Sequence, residues 1–161
     1  MLYEYKLDIS AEIAYARKWA FGRNPAFTDF EELGGDCTNF VSQCIYAGGA
    51  VMNYTPDFGW YYISVRDRAA AWTGVAFFYR FVTTNKEEGP FGEPVQLSEA
   101  QAGDVVQLGS GRRFYHSLFV VDTEGGIRVA SHSYDAFGKR LSDYDFKQAR
   151  CIHIIGSRKR L

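Results

Sequence analysis

The residues from Gly34 to Gln43 place a cysteine at the start of a predicted helix. They read Gly-Gly-Asp-Cys-Thr-Asn-Phe-Val-Ser-Gln, so Cys37 follows a diglycine turn and one aspartate. Counted from Cys37, apolar side chains recur at the three- and four-residue spacing of an amphipathic helix, and Gly48-Gly49 predicts its end. The first turn of a helix carries unpaired N–H groups and the positive end of the helix dipole. The sequence therefore predicts a nucleophilic Cys37 thiol with a lowered pKa.

Two histidines flank a predicted β-hairpin in the second half of the chain. His116 opens one strand and His132 closes the next. With residues 122–126 as the loop, the two would be cross-strand neighbours on one face, whereas a one-residue change of register would separate them. A base must be held in one tautomer by a third group. We therefore predict a triad of Cys37, His116 and His132, with Asp135 as the alternative orienting residue.

Structural roles for these residues remain alternatives. A cysteine on the apolar stripe of a helix is usually a small core side chain. The three cysteines are an odd number, which excludes a full disulfide framework and fits reduced thiols. His153 alternates with isoleucines and is interpreted as structural. The chain has no C-x-x-C or H-x-x-x-H spacing and no phosphate-binding glycine loop, so no metal site and no cofactor are predicted.

Length and composition limit the classes of protein to consider. The chain has 161 residues, a formal net charge of −1 and 17% aromatic residues. We expect one domain over residues 1–161, and the near-balanced charge gives no reason to expect a nucleic-acid partner. No apolar run reaches the roughly 18 residues of a membrane span, and the N-terminus lacks a signal-peptide pattern. We expect a soluble chain, extracellular or at the cell wall if an export signal was removed and otherwise cytoplasmic.

The predicted elements change type along the chain. Helices are expected over residues 10–21, from Cys37 to about residue 48, and over 75–82. Short strands are expected over residues 105–108, 117–121, 127–131 and 151–155. Helices followed by an antiparallel sheet are typical of an α+β fold. The long segment of residues 50–69 is predicted to be functional rather than an idle loop. Its aromatic residues and the next tryptophan predict a substrate groove lined by Trp60, Tyr61 and Trp72.

The cysteine motif resembles the signature of the bacterial putative amidase domain family. The match runs from Gly34 to Gln43 and continues through Tyr46-Ala47-Gly48-Gly49. Weaker matches follow in the family's order, namely the first helix with Asn24-Pro25, the helix after Trp72, Gly103 to Gln107, His116-Ser117 and Ser131 to Ser133. The family is similar to the NlpC-type branch of the papain-like cysteine peptidases. The resemblance implies a papain-like α+β fold with the cysteine helix packed on an antiparallel sheet.

The resemblance also implies a reaction and the residues that perform it. Cys37 is the implied nucleophile, His116 the general base and His132 the third member, in a hydrolase that cleaves an amide bond through a thioester. The expected oxyanion or supporting residues are Asp36, Asn39 and Asp135. A peptide or peptidoglycan-like substrate is the implied partner.

Two details of the first helical turn qualify this resemblance. Papain-type enzymes place a glutamine before the cysteine, and residues 31–36 contain none. The backbone N–H of Cys37 must therefore bind the oxyanion together with a further donor. Asp36 is expected to cap the helix and to point away from the thiol, because an adjacent carboxylate opposes formation of a thiolate.

Two other functions fit the same residues. One is an acyltransferase that uses the Cys-His pair with an amine acceptor. The other is a catalytically inactive domain that binds a peptide or a glycan.

Overall fold

The computed structural model describes residues 1–161 as a mixed α+β fold. The α-helices are α1 (Ile9–Trp19), α2 (Cys37–Ala47), α3 (Ala70–Thr73) and α4 (Val75–Thr84). The strands are β1 (Leu2–Tyr5), β2 (Tyr62–Ser64), β3 (Asp67–Arg68), β4 (Gly89–Val95), β5 (Val105–Gly109), β6 (Phe114–Asp122), β7 (Arg128–Ser131), β8 (Ala136–Arg140) and β9 (Gln148–Arg160). No helix is long and apolar enough to cross a membrane.

Seven strands form one antiparallel sheet. Its order is β1-β9-β5-β6-β7-β8, and β4 pairs with β9 as an additional strand. β2 and β3 form a separate small hairpin. Because the chain supplies β5 to β9 consecutively, the second half of the sequence builds most of the sheet, as the α+β pattern predicts.

From Cys37 to Ile45, helix α2 is buried on all sides between the sheet and the other helices. Its apolar stripe, Phe40, Val41, Cys44 and Ile45, has no exposed surface, as its spacing predicts. The polar side of the helix is buried as well, because its hydroxyl groups find partners there. Thr38 Oγ1 lies 2.9 Å from Ser117 Oγ on β6. A helix buried all round is held rigidly, and α2 carries Cys37 at its first position.

The predicted elements are present with small changes in their bounds, but five strands were missed. The predictions did not include β1, β4 or β8 of the main sheet, or β2 and β3 of the small hairpin. β4 contains Gly89-Pro90 and Pro94, residue types that argue against a strand in the sequence. Its only strand neighbour is β9, so its proline residues occur in an edge strand, where proline is tolerated.

Candidate active site

The turn before α2 depends on two glycines. Gly34 and Gly35 have φ angles of 109° and 104°, which L-residues with a side chain rarely adopt. The Gly35 N–H donates to the Phe30 carbonyl over 2.9 Å and closes the turn. Asp36 follows at the N-cap position and is fully buried. The diglycine motif therefore fixes where the helix begins and where Cys37 lies.

The Cys37 thiol lies against strand β6. The residue is 7% exposed, and its Sγ lies 3.8 Å from Thr38 Oγ1. Burial raises the pKa of the Cys37 thiol, and the Asp36 charge adds to the rise, while the Ser117 N–H and Thr38 oppose it. The prediction of a lowered pKa is therefore wrong for this structure, because desolvation outweighs the helix N-terminus.

His116 approaches the same point from the other face of the sheet. It pairs with Leu108, which belongs to the apolar cluster on the face opposite α2. Its ring is 7% exposed, and its Nε2 is buried without a hydrogen-bond partner. Burial, with a smaller contribution from the Lys139 charge, lowers the pKa of His116 to about 4. The ring is therefore neutral at pH 7, in the form that accepts a proton.

Cys37 and His116 line one cavity of about 420 Å³. β7 pairs with β6 only from Phe119 onward, so the β6 segment that carries His116 has a free edge. Ser117 lies on this segment, and its backbone N–H opposes the rise in the pKa of Cys37. The remaining cavity walls are formed by Gly34, Gly35, Leu108, Tyr115, Ser133, Tyr134, Lys139, Asp143, Tyr144 and Asp145. The structure thus brings together the predicted nucleophile and base at a solvent-accessible cleft.

His132 does not contact His116. Its Nδ1 lies 2.5 Å from Asp36 Oδ2, and its Nε2 lies 2.8 Å from the Trp19 carbonyl oxygen. The ring stacks on Phe40, with ring centroids 4.1 Å apart. Both ring nitrogens are occupied, so the predicted contact that would orient the base is wrong.

The strand register explains this error. Phe119 lies opposite Ala130, one residue away from the register that would pair His116 with His132. Because side chains alternate between faces, a one-residue shift places the two histidines on different faces of the hairpin.

The predicted supporting residues have other partners than expected. Asp36 makes no side-chain cap, and its Oδ1 instead accepts from the Phe30 N–H and from Asn39 Nδ2. Asn39 is fully buried and also accepts from Trp72 Nε1 over 2.9 Å, so it braces the first helical turn. Asp135 pairs with Arg23 at 3.0 Å and does not orient His116.

The predicted groove residues do not line the cavity. Trp60 and Trp72 have no exposed surface and belong to the main apolar core. Tyr61 is partly exposed, but its hydroxyl group bonds to Asp67 outside the Cys37 cavity. The large area of an indole ring is better buried than exposed, which is why these aromatic residues form the core.

Several cavity residues were missed by the sequence predictions. Tyr134 is 89% exposed at the rim, and Tyr115 is 44% exposed on the opposite wall. Ser133 and Tyr134 both have positive φ angles, 59° and 70°. Such backbone is uncommon for residues with a side chain and clusters at functional sites. The only signal in the sequence was their position directly after His132.

No group of three or more histidine, cysteine, aspartate or glutamate side chains is arranged to hold a metal ion. The chemistry available at the cleft is that of a thiol, an imidazole and backbone N–H groups. These groups suit nucleophilic attack on a carbonyl carbon.

Comparison with known proteins gives a family and one curated relative. The uncharacterized protein YhbB of Bacillus subtilis strain 168 is 33% identical over 140 residues, which cover 82% of this chain and 43% of that protein. The chain therefore spans less than half the length of this relative. No solved structure matches the chain. The model of the putative amidase domain family matches residues 6–155, and the chain belongs to that family.

Proposed function

We propose that this protein is a cysteine-dependent amidase or peptidase with Cys37 as nucleophile and His116 as general base. The observation that carries the proposal is the shared cavity, which is lined by both the Cys37 thiol and the neutral His116 imidazole, whose Nε2 has no hydrogen-bond partner. Residues 1–161 would act as one domain. A helix that begins with the nucleophile and packs on an antiparallel sheet supports a papain-like arrangement.

The proposed reaction begins from a neutral pair. His116 takes the Cys37 proton as the sulfur attacks the amide carbonyl carbon, and a tetrahedral oxyanion forms. A thiolate beside the ring offsets the burial that depresses the pKa of His116. The imidazolium then donates its proton to the leaving amine, and the acyl group stays on sulfur as a thioester. Water, deprotonated by His116, hydrolyses the thioester and restores the thiol.

The first turn of α2 supplies the donors for the oxyanion. Because Asp36 makes no side-chain cap, its carboxylate leaves the Cys37 N–H without a side-chain acceptor. The Cys37 N–H belongs to this turn and lies beside the nucleophile. A fixed N–H donor of this kind contributes about 3 kcal/mol of transition-state stabilisation in acyl-transfer enzymes.

The test uses amide substrates and three variants. We would incubate the protein with peptidoglycan stem peptides and with a panel of peptidyl p-nitroanilides, and follow cleavage and the mass of the intact protein. Cys37→Ala should abolish cleavage, and Cys37→Ser should abolish the thioester. Cys151→Ser, which changes a buried cysteine outside the cavity, should retain activity. A fully active Cys37→Ala protein would overturn the proposal.

The same assay separates the alternative functions. Added glycine amide would appear in the product if the protein were an acyltransferase, and hydrolysis would then decline. A domain that only binds would show saturable binding of stem peptides without cleavage or an acyl-enzyme mass.

A further inference from the structure

We infer that His132 is a positioning residue for the Cys37 site. As an imidazolium, His132 holds the Asp36 side chain in place next to Cys37 and offsets the negative charge of Asp36. The inference rests on the proposed function, because it assigns His132 a role toward the proposed nucleophile. In this role His132 does not orient His116 as a third triad member. It acts instead on Asp36, the residue directly before Cys37.

The hydrogen bonds define the protonation of the His132 ring. The Trp19 carbonyl oxygen only accepts, so Nε2 at 2.8 Å from it must carry a proton. Nδ1 lies 2.5 Å from Asp36 Oδ2, so these two atoms share a hydrogen bond. A carboxylate that faces Nδ1 therefore pairs with a ring protonated on both nitrogens. His132 is 1% exposed, so water does not screen this pair.

The pair keeps Asp36 away from the helix N–H groups. Asp36 occupies the N-cap position, where an aspartate side chain ordinarily accepts from the first turn. Here its Oδ1 accepts from Phe30 N at 2.7 Å and from Asn39 Nδ2 at 2.8 Å, and its Oδ2 faces His132. With both oxygens occupied, the carboxylate does not turn to the N–H groups of Cys37 and Thr38. The oxyanion donors of the proposed reaction stay free for this reason.

The other charged groups around the pair are identified by the structure. Arg23 Nε lies 3.6 Å from Asp36 Oδ2, but this guanidinium also pairs with Asp29, Glu31 and Asp135. Burial raises the pKa of Tyr15 on α1, and the charge of Asp36 makes a smaller contribution to this rise. Because Arg23 divides its charge among four carboxylates, His132 is the cation dedicated to Asp36. Without it, the negative charge beside the thiol would be poorly compensated.

The experiment measures how the alkylation of Cys37 by iodoacetamide depends on pH. Iodoacetamide reacts with the folded protein, and mass spectrometry of a digest made afterwards identifies the modified cysteine. His132→Asn keeps a neutral donor near Asp36 and removes the charge. We expect the alkylation midpoint of Cys37 to rise by about one pH unit, which is about a tenfold lower rate below the midpoint. The double variant Asp36→Asn/His132→Asn should return the midpoint to that of the wild type.

His153→Asn is the matched control. His153 Nδ1 lies 2.8 Å from Asp104, so this variant breaks a second His-Asp pair that does not line the Cys37 cavity. We expect an unchanged alkylation midpoint. A folded His132→Asn protein with the wild-type midpoint would overturn the inference. A shift that persists in the double variant would also overturn it, because it would indicate a loss of packing rather than of charge.

A second measurement uses the unaltered protein and remains informative if the variants unfold. Nitrogen-15 NMR of the labelled histidines should show His132 with protons on both ring nitrogens at pH 7. A neutral tautomer would contradict the inference. Neither experiment requires turnover, so a failure of the proposed amidase activity would be recognised separately through Cys37→Ala.

Discussion

His132 Nδ1 lies 2.5 Å from Asp36 Oδ2, and neither residue lines the cavity that Cys37 and His116 share. The two histidines that resemble one catalytic pair in the sequence therefore have separate surroundings. His116 lines the cavity and has a buried Nε2 without a hydrogen-bond partner, whereas His132 is bonded at both nitrogens and stacked on Phe40. In the proposed reaction, His116 is the proton acceptor for the Cys37 thiol, and Asp36 is the carboxylate that His132 holds in place.

Asp36→Ala should destabilise the fold. The substitution leaves the Phe30 N–H, the Asn39 amide and the His132 ring without their acceptor in the protein interior. Removing one partner of a buried ion pair costs about 3 kcal/mol or more of unfolding free energy. Urea unfolding measures the loss. Asp29→Ala, whose side chain is half exposed, should change the free energy of unfolding by less than about 1 kcal/mol.

Cys37 should be the first cysteine that iodoacetamide modifies in the folded protein. Cys37 borders the cavity at 7% exposure, whereas Cys44 and Cys151 are 0% and 1% exposed. Because the pKa of Cys37 is raised, the rate should climb steeply above pH 8 instead of reaching a plateau below it. Peptide mapping after short labelling gives the ratio of the rates. Equal rates for all three cysteines in the native protein would contradict this accessibility.

The sequence predicted the cysteine helix because its apolar positions follow the helical period, and this period is a local property. The contact between His116 and His132 failed because it depends on strand register, which changes face with a shift of one residue. The partner of Asp36 lies 96 residues away, so a local capping rule could not find it. Trp60 and Trp72 were predicted to line a groove, although their size equally favours the core in which they lie.

His116→Gln should remove a pH dependence of stability. Burial lowers the pKa of His116 to about 4, below the ordinary value of 6.5. The unfolded chain therefore binds the additional proton first, and the native state loses stability as the pH falls from 6.5 toward 4. The loss amounts to about 3 kcal/mol at most, at about 1.4 kcal/mol per pH unit. Thermal unfolding measures the melting temperature at each pH across this range. The slope of the melting temperature against pH should be smaller for His116→Gln than for the wild type.

Tyr115→Phe is the control for this slope. Tyr115 neighbours His116 and lines the same cavity, but it is 44% exposed and carries no imidazole. For Tyr115→Phe, the slope of the melting temperature against pH should equal that of the wild type. In the amide assay, His116→Gln should also lose activity by at least about a hundredfold, the usual contribution of a general base. An unchanged slope in His116→Gln would show that His116 is not buried in the neutral form.

Glu12→Gln should stabilise the protein at alkaline pH. Glu12 on α1 is fully buried beside Gly48 and Gly103, and both of its carboxyl oxygens lack a hydrogen-bond partner. Burial, with the charges of Asp8 and Asp104, raises the pKa of Glu12 to about 9. The native state therefore keeps a proton that the unfolded chain loses above pH 4.5, and stability declines as the pH rises from 4.5 to 9.

Glutamine retains the shape of the side chain and does not ionise, so the variant should lack this decline. The gain in unfolding free energy should be about 5 kcal/mol at pH 8 and should vanish near pH 4. Urea unfolding at both pH values measures the difference, with Glu32→Gln as an exposed control that should show no gain. Equal gains at pH 4 and pH 8 would contradict a titrating Glu12 and would assign the effect to packing. Helix α1 carries both Glu12 and the Trp19 carbonyl that accepts from His132. The measurement therefore tests the stability of the helix that holds His132 in place.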